Sequence, residues 1–288
     1  SAVLAFRYPL CYCANNFTKS VSMAAAFPKS ILITGANRGL GLEFVKQILQ
    51  KSDGATKHIF AAHRSPLGSD GTQQIEQLSK EHSGRVHLVQ IDVTDQDTIK
   101  KAAQFVETIV GGDGLNVLVN NSGVASWQTS LDDVTFETLD HHLKANTIGP
   151  ILVLKGFHAL LKRAAEVNKD MLLGWQRAAV LYTTTIMASL ELADKGNFSV
   201  ENPMVRFYSY RASKGALNVL GHSLTPELSE QGIASLLFHP GWVRTDMGGE
   251  QGDLSPEESI AGVLNVAQRL DKDTNGKCVS WEGEIIPW

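Results

Sequence analysis

The sequence predicts an α/β fold: one doubly wound parallel sheet with helices on both faces, all in a single domain. Three observations carry that expectation. From Ser30 onward, short β-rich apolar runs alternate with longer stretches of helical period, the pattern that builds strand-helix-strand units. A glycine-rich turn, Gly35 to Gly41, separates the first apolar run from the first helical stretch. The 288 residues are 43 % hydrophobic and 19 % charged, enough apolar material for a sizeable core and far from the signature of disorder.

Ile31–Thr34 is the first expected strand, and Leu42, Val45, Ile48 and Leu49 then fall on one face of a helix. His58–Ala62, Val86–Ile91 and Leu115–Val119 are the next strands. Helices fit between them over 72–80 and 96–110, and the second stops at Gly111-Gly112, where glycine ends a helix readily. A long helical region covers Phe136–Ala164, followed by a strand at Ala178–Thr183, a helix over Phe207–Glu230 and a strand at Ala234–Phe238. A last helix over about 256–270 and a short strand near Lys277–Ser280 close the series. No repeat, low-complexity tract or linker divides residues 26–288.

Charge and cysteine content narrow the function classes. The 26 Lys+Arg against 30 Asp+Glu leave a formal charge of -4, so no net positive field draws the chain to nucleic acid or anionic lipid. No apolar run reaches the roughly eighteen residues that span a membrane. Three cysteines cannot build a disulfide framework, which suits a reducing compartment, the cytoplasm being the expected one. Before Glu43 there is no acidic residue, while Arg7, Lys19, Lys29 and Arg38 are present, so residues 1–22 have the acid-poor, Ser-containing character of an organellar targeting peptide. Met23 is an equally good natural start, with 1–22 an upstream extension or expression remnant, and residues 1–25 are taken as an extension outside the domain. His63, His141, His142, His222 and His239 have no ligand spacing, and no metal is expected.

Several short motifs carry chemistry. In Thr34-Gly35-Ala36-Asn37-Arg38-Gly39-Leu40-Gly41 the glycines let the backbone approach a pyrophosphate, and the helix that follows presents its N-terminus to the charge. Asp92-Val93 follows the third strand, and Asn120-Asn121-Ser122-Gly123 ends the fourth. Tyr210-Arg211-Ala212-Ser213-Lys214 places a phenol and an ammonium four residues apart, on one face of the expected helix. Positive charge beside the phenol would lower its pKa from about 10 and make it a usable proton donor and acceptor. For an isolated Tyr-x-x-x-Lys, the alternative is two residues sharing a solvated helix face.

In this order and at these strand ends, the motifs resemble the short-chain dehydrogenase/reductase superfamily over nearly all of residues 30–288. The resemblance implies a Rossmann-type, NADP-binding catalytic domain. It places Gly35, Asn37, Arg38, Gly39, Leu40 and Gly41 at the cofactor, matches Asp92 and Val93 to the adenine contact, and matches Asn120, Ser122 and Gly123 to an Asn-Asn-Ala-Gly with Ser in place of Ala. Pro240, Gly241, Val243 and Thr245, within His239-Pro240-Gly241-Trp242-Val243-Arg244-Thr245-Asp246, match the loop beside the nicotinamide. Asn146 matches the helix asparagine that supports a proton relay through water to the lysine. The family serine is replaced: aligning Val180 to Ser189 sets Thr184 and Thr185 on its Ser-Ser pair. Thr185 is then the expected carbonyl-orienting hydroxyl and Ser189 the fallback, with the extra methyl of threonine stiffening χ1 and narrowing the pocket.

The cofactor follows from charge at the end of the second strand. An acid there accepts from a ribose 2′-hydroxyl, whereas a base neutralises a 2′-phosphate. Ala61-Ala62-His63-Arg64 contains no acid, and Arg38 adds a cation inside the turn, so NADP(H) is expected, held also by Arg64, Tyr210 and Lys214.

Phe207–Asn218, His239–Gly249, the closing Ile285-Ile286-Pro287-Trp288 and a long Leu190–Arg206 loop are most similar to the sniffer and C-factor group of carbonyl reductases. The implied activity is NADPH-dependent reduction of an aldehyde, ketone or quinone: Tyr210 protonates the alkoxide, Lys214 holds the ribose and tunes Tyr210, Thr185 orients the carbonyl and Asn146 places a relay water. An NADP-binding signalling protein of C-factor type with little turnover is the alternative, and an alcohol dehydrogenase working oxidatively is a second. The substrate pocket is expected from Ser126–Leu131, Leu190–Arg206 and Gly248–Leu254, with Gly248-Gly249 in a mobile lid or a plain surface loop. A small carbonyl compound is the expected partner, with neither nucleic acid nor membrane. Homodimer or homotetramer, through the fourth and fifth helices, and monomer all remain open.

Overall fold

A computed structural model describes residues 26–69, 71–126, 128, 130–193 and 206–288. Seven strands form one sheet: β1 Ser30–Thr34, β2 His58–His63, β3 Val86–Gln90, β4 Val117–Asn120, β5 Ala179–Thr183, β6 Ala234–His239 and β7 Cys278–Ser280. Their order is β3-β2-β1-β4-β5-β6-β7, and every pairing is parallel. The chain therefore runs outward from β1 to β3, returns to the other side of β1, and runs outward again. Where the order reverses, between β1 and β4, the connections leave in opposite directions and open a crevice at the carboxyl ends of the strands.

The helices are α1 Gly39–Lys51, α2 Gln73–Glu81, α3 Gln96–Val110, α4 Phe136–Leu143, α5 Gly149–Val167, the one-turn α6 Leu190–Leu192, α7 Tyr208–Glu230 and α8 Pro256–Gln268. Alternation along each strand splits the core into two layers. Leu32, Leu118, Val180, Tyr182 and Leu237 pack with residues of α3, α5 and α7. Ile31, Ile33, Val119, Leu181 and Phe238 pack with residues of α1 and α8. Local chemistry sets the helix ends: the Asp95 side chain accepts from the N–H groups of Asp97 and Thr98 at the start of α3, and Gly111, with φ 52°, ends it where the sequence places the stop. Among the described residues, no helix is long and apolar enough to cross a membrane.

The single helix expected over Phe136–Ala164 is interrupted. Between α4 and α5 the chain makes a π turn over Lys144–Ile148, closed by the Gly149 N–H on the Lys144 carbonyl. The cause is local. Pro150 has no N–H to give the Asn146 carbonyl four residues back, and its ring would collide with that carbonyl in an α-helix, so one extra residue in the turn relieves the clash. Gly149 lets the turn approach the sheet, since a Cβ there would lie 2.9 Å from the Val93 side chain.

Candidate active site

The crevice is a cleft of about 2260 Å³, larger than a pocket for one drug-sized ligand. Its floor at one end is the turn between β1 and α1. Gly35 and Gly39 take φ of 67° and 51°, left-handed values that disfavour any side chain. At Gly41 the constraint is space instead: a Cβ would sit 2.1 Å from the Gly35 carbonyl oxygen. No side chain caps α1, so its first amides face the cleft unclaimed by a cap. The Thr34 hydroxyl braces this turn against the end of β4, accepting from Asn121 N–H at 3.0 Å and Ser122 N–H at 2.9 Å.

Most of the expected cofactor residues line this cleft: Gly35, Asn37, Arg38, Gly39 and Leu40 from the turn, Arg64 after β2, Asp92 and Val93 after β3, Ser122 and Gly123 after β4, and Pro240, Gly241, Val243 and Thr245 after β6. Gly41 lies behind its wall. So does Asn120, contrary to its expected contact, because it is still in β4, in register with Tyr182, and buried; Asn121, one residue on, is the one that reaches the cleft. The dinucleotide requirement is met by the glycine cradle and the bare helix end. Two cations stand at the far end without an acid on β2: the side chain of His63 is turned to the Ser65 carbonyl at 2.7 Å, and Arg38 pairs with Asp246 at 3.0 Å, an exposed bridge between the turn and the loop after β6.

At the other end, α7 brings its face against the ends of β5 and the π turn. Lys214 is buried, and its Nζ donates to the Thr183 carbonyl at 2.7 Å while lying 6.0 Å from the centre of the Tyr210 ring. Tyr210 lines the cleft, and the Thr185 hydroxyl lies near enough to its phenol to favour the phenolate. That contact separates the candidate hydroxyls. Thr184 gives its hydroxyl to Asn218 Oδ1 at 2.5 Å, and Ser189 is buried, accepting the Leu192 N–H at 3.2 Å at the start of α6. Thr185 alone of the three is both at the cleft and beside the phenol.

The electrostatics overturn one expectation. Burial pushes the Tyr210 phenol up to about 12, only partly offset by the Thr185 hydroxyl, instead of the Lys214 charge pulling it down. Burial also brings Lys214 down to about 8. In the protein alone the pair is therefore a protonated phenol beside a lysine that is easily discharged.

Asn146 is fully buried behind this pair. Its Oδ1 accepts from Val124 N–H at 2.8 Å, and its Nδ2 donates to the Val124 carbonyl at 2.8 Å and to Ser213 Oγ at 2.9 Å. The Ser213 hydroxyl passes the contact on to the Tyr210 carbonyl at 2.7 Å. With both amide hydrogens and the oxygen engaged, the side chain is a brace, and Asn146 itself does not line the cleft. Gly123 leaves room here: a Cβ would lie 3.2 Å from Asn146 Oδ1 and 3.5 Å from Lys214 Nζ.

Of the expected substrate walls, Ser126, Leu192, Gly248, Asp253 and Leu254 line the cleft. Trp127, Thr129 and residues 194–205 lie outside the described residues. The loop after β6 is tied across its base by Arg244 N–H to the Leu254 carbonyl at 2.9 Å and Leu254 N–H to the Trp242 carbonyl at 3.1 Å, with Trp242 Nε1 donating to the Gly248 carbonyl at 2.8 Å. Sequence reasoning missed a further wall, Trp281–Pro287. This segment folds back beside β7 through Ser280 N–H to the Glu284 carbonyl and Ile286 N–H to the Cys278 carbonyl, both 2.8 Å, and Glu191 of α6 donates its N–H to the Trp288 carbonyl at 2.9 Å. The closing Ile-Ile-Pro-Trp was the available signal. Among the described residues, no cluster of three or more His, Cys, Asp or Glu could hold a metal.

Known proteins share this fold. Residues 29–167 match the family model described as short chain dehydrogenase. The carbonyl reductase Sniffer of D. melanogaster is similar at 34 % identity and a TM-score of 0.82, covering 91 % of this chain and 100 % of that one. A carbonyl reductase from chicken fatty liver, whose structure holds NADPH, has the same identity, TM-score and coverage. The C-signal of Myxococcus xanthus is 31 % identical over 177 residues, 60 % of this chain and 93 % of that protein.

Proposed function

The chain belongs to the short-chain dehydrogenase family, and from that membership and the cleft we propose that it is an NADPH-dependent carbonyl reductase. The observation that carries the reading is the convergence of Tyr210, Thr185 and Lys214 at one end of a cleft whose other end is a glycine cradle flanked by Arg38 and Arg64. NADPH, when bound, supplies the hydride. Its pyrophosphate belongs on the amides of the turn and α1, and its 2′-phosphate beside Arg64 and Arg38, which would exchange Asp246 for the phosphate.

The protein's own part is to hold a carbonyl oxygen and to supply a proton. Thr185 and Tyr210, side by side at the cleft, present two hydroxyls to one acceptor. A phenol held protonated by burial is suited to the reductive direction, because it carries the proton that a nascent alkoxide takes, and an alkoxide is the stronger base. Lys214 would hold the ribose of bound NADPH and, with its pKa near 8, return a proton toward Tyr210, and Asn146, bracing α7 behind the pair, would support a relay water.

Tyr210→Phe tests the reading. On a panel of aldehydes, ketones and quinones followed by NADPH absorbance, kcat is expected to fall by about 10²–10⁴ with the NADPH dissociation constant unchanged. Equal activity in the variant and the wild type would overturn it. NADPH binding without turnover across the panel would support the signalling reading, which the similarity to C-signal favours.

A further inference from the structure

Gln128 stands in the segment after β4; it is buried and does not line the cleft. Its side chain is fully engaged by partners far away in sequence and near in space: Oε1 accepts the Ser209 N–H at 2.9 Å, while Nε2 donates to Ser209 Oγ at 3.0 Å and to the Asp133 carbonyl at 3.2 Å. The first contact supplies what α7 lacks locally. The helices α3, α4 and α8 are each capped by the residue before them, Asp95, Thr135 and Ser255, whose side chains accept from amides of the first turn. Phe207, before α7, provides no side-chain acceptor, so the Ser209 N–H, one of the amides that the first turn of a helix leaves unbonded, is served by Gln128 instead. A local cap ties a helix end only to itself. This one ties it to the segment that carries Ser122, Gly123 and Val124 along the cleft.

We propose that Gln128 is a positioning residue for carbonyl reduction: acting through Ser209, it fixes the turn of α7 that carries Tyr210 against the segment after β4, and so keeps the phenol in place at the cleft. This rests on the reductase reading. Two braces grip Tyr210 from either side along the chain. Gln128 holds the N–H of the residue before it, and Ser213 Oγ donates to its own carbonyl at 2.7 Å, with Asn146 joining Ser213 to Val124. Both braces end within residues 124–128, so the backbone of Tyr210 is referred twice to one wall of the cleft. Ser209 is fully buried, and without Gln128 its N–H has no water to turn to, so the turn has to move to find a partner. A displacement of about 1 Å in a reacting group costs about 10²-fold in rate, so a small movement is enough.

The test is Gln128→Met, an unbranched chain of similar length with neither the acceptor nor the donor. On the aldehyde, ketone and quinone panel, kcat per NADPH-binding molecule is expected to fall at least about tenfold, with the dissociation constant for NADPH held within about twofold because the glycine cradle and Arg64 are untouched. Gln128→Glu returns an acceptor to the Ser209 N–H, with a charge that a helix N-terminus favours, and recovers most of that kcat. In the Tyr210→Phe background Gln128→Met brings no further loss, since no phenol is left to misplace. A brace that is merely structural would lower Tm with kcat unmoved, or add its loss to that of Tyr210→Phe, and either result overturns the assignment. Should Gln128→Met not fold, Gln128→Asn, one carbon too short to reach Ser209, replaces it under the same criteria. If the wild type reduces nothing on the panel, the reductase reading fails separately, and the placement of the phenol is read by fluorine NMR of protein labelled with 3-fluorotyrosine. The Tyr210 resonance, identified by its loss in Tyr210→Phe, is expected to shift or broaden in Gln128→Met while that of Tyr182 in β5 stays put. A Tyr210 resonance unchanged by the substitution overturns the positioning role.

Discussion

Replacing Asn146 with alanine removes the brace between the π turn, the segment after β4 and α7. Three hydrogen bonds of 2.8, 2.8 and 2.9 Å are lost at a fully buried position, and Val124 keeps an N–H and a carbonyl with their shared partner gone. At about 1 kcal/mol for each bond, the loss is about 3 kcal/mol, and unfilled volume adds to it. For a chain of this size 1 kcal/mol moves Tm by about 2–4 °C, so a fall of about 6–12 °C is expected in scanning calorimetry. Ser213→Ala, which cuts the same chain at its link to the Tyr210 carbonyl, is expected to cost about half as much. The double variant should lose less than the sum, because the Asn146–Ser213 bond is common to both. A Tm for Asn146→Ala within about 2 °C of wild type would refute the reasoning, since it would mean the side chain is not the brace described.

Two further outcomes follow from charge. Arg64→Asp places an acid after β2 and should lower the preference for NADPH over NADH by at least about tenfold in kcat/KM; an unchanged preference would count against Arg64 as the 2′-phosphate partner. Lys214 titrates at about 8 in the fold against an ordinary 10.5, so the folded state sheds this proton first, and the penalty for burying the ammonium is complete below pH 8 and fades as pH rises toward 10.5. Urea unfolding of wild type and Lys214→Met between about pH 7.5 and 9.5 should therefore show the wild type gaining about 2 kcal/mol relative to the variant, and a difference independent of pH would rule the burial account out. Tyr210, raised to about 12 from an ordinary 10, removes stability only above pH 10, outside that window.

Much of this was legible from residues alone. The bounds of α3 follow from its apolar period, Asp95 and Gly111, and the glycine cradle and the Tyr210–Lys214 pair are each contained in a few consecutive residues. The π turn was half legible: Asn146 and Pro150 stand at the spacing that breaks an α-helix, yet the helical period on either side continues through them. The choice of Thr185 over Thr184 and Ser189 could not be made along the chain, because it depends on Asn218, Leu192 and Tyr210 arriving from elsewhere.

What the sequence by itself determined is the order of strands and helices, the phosphate turn and the identity of the reactive groups, because periodicity, capping and glycine geometry act within one turn or one strand. The tertiary structure alone decided the protonation of those groups and the walls around them. Tyr210 holds its proton, Lys214 loses part of its hold, and His239 stays neutral through burial, a property of everything packed against a residue rather than of its neighbours in sequence. The wall at Trp281–Pro287 shares the cleft with Thr185, about a hundred residues earlier, only because parallel register sets β7 beside β6 and β6 beside β5.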